Sequence, residues 1–580
     1  MKPVRNKEAS TVSWRPTVVG SHYAASCGHY LATSAAMRAL DAGGNAVDAG
    51  VTAAMALAVL QPDVVSFAGV LPTLIYLKNE NRVVSLEGLG YWPAATDFAR
   101  LQAEGGSSVP EGILRQILPA APATHVEALR QFGTISFEQA VTPALQLARD
   151  GFYLYPVLRD GIELHAADID RYAENASIFR PGGRTPAVGS RLTQSNLART
   201  LGRMVEAERQ AAGDRNAKLR AVHECFYKGS IAADIAAFHK KNGGFITRDD
   251  LAGFEVPVEK SISATYRGVD VHACDVWCQG IVLLEALKTL EGIDLPALGY
   301  NTPQYLHVIA QALDLAFSDR EAYVGDPKFV KVPTSELLSA EYAARQRARI
   351  DFKRAPGRMP EPGTIQGIPR PDLAALMPGK GKVPPAPDTI YCCVADAQGN
   401  VWSATPSDTM YDTPMIEGLG INISTRGMQG RLIEGHPCSV EPGKRPRLTP
   451  SPALALKDGG LYMAWGTPGG DIQMQSMLQV FLNVNAFGLQ MQQAIESPRV
   501  GSFNFPNSFS PHAYLPGRLC VENRFPEATV DALEALGYDI EMWPAVSWSM
   551  GAVCAILRDE KTGMLHAGAD PRREAYAMAW

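Results

Sequence analysis

The chain has 580 residues, more than an ordinary single domain holds, so one very large unit or two lobes are open. Apolar residues make up 46% and charged residues 20%, the composition of a soluble globular protein. A net charge of −6 leaves no electrostatic footprint for nucleic acid or an anionic membrane, and the short basic run Gly443–Arg447 does not change that.

In chain order, "MKPVRNKEASTVSWRP" carries charges without a following apolar run and does not read as a secretory signal. "SAAMRALDAGGNAVDAGVTAAMALAVLQP" reads as helix, break, helix. Gly43 and Gly44 are expected to supply a left-handed stop, Asn45 caps the second helix, and Asp48 sits in its first turn. The apolar stretch Val47–Leu60 is too short to span a membrane and contains Asp48, so it reads as a buried core helix. "PTLIYLKNENRVVSLEG" predicts two strands around a polar turn. Helical periods return in "SFEQAVTPALQLARDGF", "SNLARTLGRMVEAERQAA" and "TPQYLHVIAQALDLAFSDREAY".

From Phe352 to Asp388 the chain turns rich in Pro and Gly and loses its period, which reads as a linker between a part spanning 1–351 and a part spanning 389–580. "TIYCCVADAQGNVWSATPS" then predicts a hairpin. Alternation puts Cys392 and Cys393 on opposite faces of its first strand. "MQSMLQVFLNVNAFG" and "PEATVDALEALG" are late helices. The order helices, linker, strands, helices suggests a layered α/β sandwich whose two parts share one sheet system.

The nine cysteines are odd in number and contain no Cys-x-x-Cys pair, which fits reduced core thiols in a cytoplasmic protein. Cys274 and Cys278 lack a neighbouring His or third Cys for a metal site. The sequence has no Gly-x-Ser-x-Gly elbow, phosphate loop or His-Glu-x-x-His, and "GLGIN" at 418–422 reads as a turn.

The junction Asp388–Thr389 joins the linker to the hairpin. A threonine often simply opens a strand. Were the bond cut, Thr389 would hold a free α-amine, with a reference pKa of about 7.7–8.0, beside its own hydroxyl. One residue would then supply both nucleophile and base.

The motifs around this junction resemble those of the γ-glutamyltransferase (glutathione hydrolase) family of N-terminal-nucleophile hydrolases. They are "GGNAVDA", "ECFYKGSIA", "GGFITRDDLAGF", "TYRG", "SDREAYVGDP", "DT…VADAQGNVWSAT", "KRPRLTPSPAL", "GTPGG" and "GADPRR", in family order across nearly the whole chain. The resemblance implies a four-layer αββα sandwich made as one precursor and cut between Asp388 and Thr389, with the two fragments staying associated. A homodimer of such pairs is one option. It implies Thr389 as nucleophile, Ser407 as its hydroxyl partner, and Gly469 and Gly470 as backbone donors to the oxyanion. It implies no metal or organic cofactor. The partners would be a small-molecule amide and water or an amine acceptor.

The segments that hold the γ-glutamyl headgroup in the family depart here. Leu89 stands where the carboxylate-binding Arg is expected and Gly90 where a Glu is expected. Gln429 replaces the acid that holds the α-amine, Arg426 replaces an amide, and Leu448 and Thr449 replace paired serines. Losing the acid argues against an α-amine on the acyl group, since an unpaired buried charge is costly. Arg426, with Arg447 nearby, would suit a carboxylate unless both are surface charges. Tyr91, Trp92 and Trp277 read equally as pocket lining or as core. The leading expectation is an amidohydrolase or acylase for a glutaryl- or oxamate-like amide. A standard γ-glutamyl hydrolase or transpeptidase acting on glutathione is one rival, and a non-catalytic binding module on the same fold is another.

Overall fold

The structure, a computed structural model, describes residues 13–369 and 389–580. Asp388 and the rest of 370–388 lie outside the described residues. Two seven-stranded antiparallel sheets dominate the molecule. The first runs Tyr576–Ala579, Ala24–Cys27, Cys392–Ala395, Val401–Ala404, Thr73–Leu77, Arg82–Leu86, Val258–Lys260. The second runs Val18–Gly20, Leu565–Ala569, Cys554–Arg558, Gly460–Gly466, Ala453–Lys457, Val269–Ala273, Ile262–Tyr266. Strands from before and after Thr389 interleave in both. No cut at that point would divide the molecule into two sheets.

Side-chain alternation sorts the core into layers. Cys392 and Val394 face a cluster shared with the helices Tyr30–Asp41 and Ala46–Leu60, while Cys393 and Ala395 face the opposite sheet. In the second sheet, Leu454, Ala464 and Ile556 point into that same inter-sheet cluster. Ala453, Ala455 and Ala555 point to the helices Ile281–Leu290, Pro303–Tyr323 and Ile472–Asn485. Both faces are covered at the inner strands such as Ala24–Cys27, Cys392–Ala395, Val401–Ala404 and Gly460–Gly466, which are buried throughout, while edge strands such as Tyr576–Ala579 and Ile262–Tyr266 keep exposed residues.

The expected helices are present at Phe137–Asp150, Ser195–Gln210 and Glu527–Ala535. Asn45 and Asp48 form a reciprocal capping box at the start of Ala46–Leu60, a helix with no exposed residue. Of the two glycines before it, Gly43 alone takes a left-handed φ, of +90°. Gly44 does not, because the first helix is already terminated one residue earlier. The predicted hairpin docks on the second helix through its turn. Asp396 accepts from Gln398 N and Asn400 N at 3.0 and 2.9 Å, and its other oxygen accepts from Ala46 N at 2.9 Å.

Residues 352–369 hold neither helix nor strand but are fastened to the body. Ala355 N donates to Leu536 O, Met359 N to Tyr514 Oη, and Gly363 N to Asp319 Oδ1, each at 2.7 Å.

Candidate active site

The hairpin register builds the centre of the site. Cys392 pairs with Ala404 and Ala395 with Val401, and the same register continued outward sets Thr389 opposite Ser407 in an isolated antiparallel bridge. Ile390 N donates to Pro406 O at 3.1 Å, and Ser407 N donates to Val70 O at 3.1 Å. Thr389 Oγ1 and Ser407 Oγ are 2.7 Å apart, and both residues are fully buried. Arg573 Nη1 donates to the Thr389 carbonyl at 3.4 Å. The nucleophile and partner implied by the motif resemblance are therefore adjacent.

Arg426 is not a surface charge. It is fully buried on the short helical turn Arg426–Gln429, and its Nη2 donates to Ser407 Oγ. Its Nε lies 3.4 Å from Asp408 Oδ1. Asp408 accepts from Ser424 Oγ at 2.9 Å and from Thr425 N and Oγ1 at 2.8 Å. Burial pushes the Asp408 carboxyl above its ordinary range, against the pull of Arg426 and of these hydrogen bonds. Its φ of +117° is unusual for a residue with a side chain.

Gln429 and Thr449 meet each other: Gln429 Nε2 donates to Thr449 Oγ1 at 2.8 Å. Gln279 Nε2 then bridges the carbonyls of Thr449 and Gly470, both at 3.1 Å, and Arg320 Nη1 fixes Gln279 Oε1 at 2.8 Å. Gly469 and Gly470 form the turn between the strand Gly460–Gly466 and the helix Ile472–Asn485, with φ values of +120° and +57°. That strand passes close to the segment that begins at Thr389, since a Cβ at Gly466 would lie 2.3 Å from the Tyr391 ring.

Arg447 is engaged elsewhere, which corrects the expectation that it joins Arg426. Its Nη2 donates to Glu321 Oε1 at 2.6 Å and its Nη1 to the Arg320 carbonyl at 2.8 Å. Glu321 also receives Arg431 at 2.9 Å. Burial alone would raise the Glu321 carboxyl, but Arg431, Arg447 and Arg320 outweigh it and hold the group well below its ordinary range.

Leu89 is fully buried in the inter-sheet cluster with Trp92, Trp277 and Leu448, so it offers apolar surface only. The Trp92 ring lies against Gly427, where a Cβ would come within 2.6 Å of it. Tyr91 is half-buried and lies under the Arg445 guanidinium. Cys278 donates to the Pro450 carbonyl at 3.0 Å. Among the described residues no group of three His, Cys, Asp or Glu side chains is gathered to hold a metal ion.

Sequence reasoning missed Asp408, Arg573 and Gln279. Asp408 follows Ser407 directly and could have been singled out as the acid beside the expected hydroxyl partner of Thr389. Gln279 lies 41 residues from Arg320 and 170 or more from Thr449 and Gly470, and left no local signal.

A model of the Gamma-glutamyltranspeptidase family matches residues 32–580. The chain belongs to this family. It is therefore an enzyme of the N-terminal-nucleophile hydrolase and acylase type, with a mixed α/β fold. It is 30% identical to the glutathione hydrolase proenzyme of Escherichia coli (strain K12), over 90% of this chain and 85% of that protein. Among solved structures, LmbA2991HD matches with 34% identity and a TM-score of 0.91, covering 98% of this chain and 99% of the other. The cephalosporin acylase from Bacillus halodurans matches with 28% identity and a TM-score of 0.84, covering 100% of this chain and 99% of that one. Hydrolases and acylases are thus both among the relatives of this γ-glutamyltranspeptidase-family chain.

Proposed function

We propose that this enzyme is a self-cleaving amidohydrolase or acylase whose substrate is an amide of a short dicarboxylic acid without an α-amine, glutaryl- or oxamate-like. The precursor, an αββα sandwich of the N-terminal-nucleophile type, cuts itself before Thr389. Oγ1 attacks the Asp388 carbonyl, the acyl group moves from N to O, and water hydrolyses the ester. The fragments then stay together, because their strands alternate within both sheets.

In turnover the freed α-amine takes the Thr389 Oγ1 proton as the Oγ1–C bond forms. The carbonyl electron pair moves to oxygen, where Gly469 and Gly470 N–H groups receive it. Collapse breaks the C–N bond, and the α-ammonium gives its proton to the leaving amine. Water then attacks the ester while the amine takes its proton. The acid departs and Oγ1 is protonated again.

The observation that carries the substrate class is the run Arg426–Ser407–Thr389, which puts a buried guanidinium one hydrogen bond beyond the nucleophile's partner. A carboxylate at the far end of a short acyl chain would meet that cation. Gln429 is neutral and engaged with Thr449, so it does not suit an α-ammonium.

The test is the release of p-nitroaniline from glutaryl-p-nitroanilide and γ-glutamyl-p-nitroanilide by the same purified protein. Faster release from the glutaryl compound supports the proposal, and faster release from the γ-glutamyl compound sinks it. The second outcome, with stimulation by a dipeptide acceptor, is that of a γ-glutamyl hydrolase or transpeptidase acting on glutathione. The match to the Escherichia coli glutathione hydrolase favours that second reading.

A further inference from the structure

Asp408 and Arg426 are oppositely charged, fully buried, and held against the residue that contacts the nucleophile. Asp408 comes directly after Ser407, so its carboxylate can reach Arg426 only if the backbone turns sharply between them. It does so at φ +117°, a conformation that side chains disfavour and that tends to persist where function requires it. The neighbouring chain leaves room for the turn at Gly69, where a Cβ would lie 2.3 Å from Ser407 O and 2.7 Å from Asp408 Oδ2.

A guanidinium has donors and no acceptor, and a serine hydroxyl has one proton. Since Arg426 donates to Ser407 Oγ, Ser407 has its own proton to direct at Thr389 Oγ1, 2.7 Å away. Thr389 Oγ1 then accepts from Ser407, and its own proton is directed away from Ser407. We propose that Asp408 is a positioning residue that seats Arg426, and that Arg426, beyond meeting the substrate carboxylate, makes Ser407 a one-way donor to Thr389 and adjusts the basicity of the freed α-amine. The inference rests on Thr389 being the freed nucleophile.

The two charges act with opposite signs on that amine. Arg426 disfavours the α-ammonium and keeps the amine a neutral base, and Asp408 offsets part of this. Arg573 also reaches the Thr389 carbonyl and adds a second positive charge. Removing Arg426 therefore raises the pKa of the amine, and removing the charge of Asp408 lowers it. Loss of packing alone has no reason to move the two in opposite directions.

The experiment uses purified full-length chains of wild type, Arg426→Gln, Arg426→Lys and Asp408→Asn. Trace labelling with acetic anhydride across a pH series, followed by mass spectrometry of the peptide beginning Thr-Ile-Tyr-Cys, gives the titration of the α-amine without any substrate. The expected midpoint rises by about half a pH unit or more in Arg426→Gln, stays near wild type in Arg426→Lys, and falls in Asp408→Asn. Midpoints that all coincide, or all move one way, overturn the proposal. If a variant does not mature, the rate of precursor conversion decides. Arg426→Lys converting faster than Arg426→Gln supports the inference, and equal rates overturn it. A wild-type chain that stays whole overturns the freed-nucleophile reading itself and this inference with it, which separates the two failures.

Discussion

Arg447 Nη2 donates to Glu321 Oε1 at 2.6 Å with both side chains excluded from solvent. Arg431 reaches the same carboxylate at 2.9 Å, and Arg320 Nη2 does so at 2.8 Å. One buried acid thus ties the helix Pro303–Tyr323 to the segment that leads from Arg426 to Thr449. Glu321→Gln leaves buried guanidinium charge without its counter-charge and should cost about 3–5 kcal/mol. Thermal unfolding should show a lowered midpoint with the hydrogen-bonding shape nearly kept. The pH dependence has a definite sign. The native carboxyl is held below its ordinary range, so its stabilisation is complete above the unfolded pKa and is lost as pH falls through the native value. The Gln variant should lack that part of the acid sensitivity.

Glu259 gives the opposite case. Burial, followed by the nearby Glu87 charge, pushes its carboxyl up to about 8, while Trp277 Nε1 donates to it at 2.7 Å. The native state keeps this proton where the unfolded chain has released it. Stability is therefore lost as pH rises from about 4.5 towards about 8. Glu259→Gln keeps an acceptor for Trp277 and should raise the thermal midpoint at pH 8.5 relative to wild type, with little change at pH 4. An equal shift at both values would refute the account.

At Thr389, the proposed nucleophile, Thr389→Ala should leave an uncut, inactive chain on a denaturing gel, while Thr389→Ser should still be cut. Ser407→Ala removes one donor to Oγ1 and should lower kcat/KM on the faster of the two anilides by about 10²–10³-fold. Ser407→Thr keeps the hydroxyl and should retain most of the activity. If Ser407→Ala turns over at the wild-type rate, the 2.7 Å contact has no part in the chemistry.

Gly469 holds a φ of +120°, which any side chain would strain, and an added Cβ would sit 3.3 Å from Ile472 Cβ. Gly469→Ala should cost about 1–3 kcal/mol and swing the turn that carries the proposed oxyanion donors. A fall in kcat larger than any change in KM, at a temperature where circular dichroism shows the variant folded, would match that role. An unchanged kcat would remove Gly469 from it.

Much of this was legible in one dimension. The Asn45–Asp48 cap, the alternation of Cys392 and Cys393, and the hairpin turn at Asp396–Asn400 are local, fixed by hydrogen bonds and periods spanning a few residues. The hairpin also fixes the pairing of Thr389 with Ser407, because both lie on its extended register. The resemblance also marked Leu89, Arg426, Gln429 and Thr449 as expected departures from the headgroup residues of the family.

What the letters left undecided was where the charges end. Arg426 and Arg447 look alike in sequence, yet one terminates at Ser407 and Asp408 and the other at Glu321. Their partners lie up to 126 residues away. A charged side chain is buried only where folding brings its counter-charge and hydrogen-bond partners together, and no local period encodes that meeting. Sequence by itself determined the strands, the caps and the residue opposite Thr389. Only the tertiary structure decided which buried cation lies against Ser407 and Asp408 and which meets Glu321.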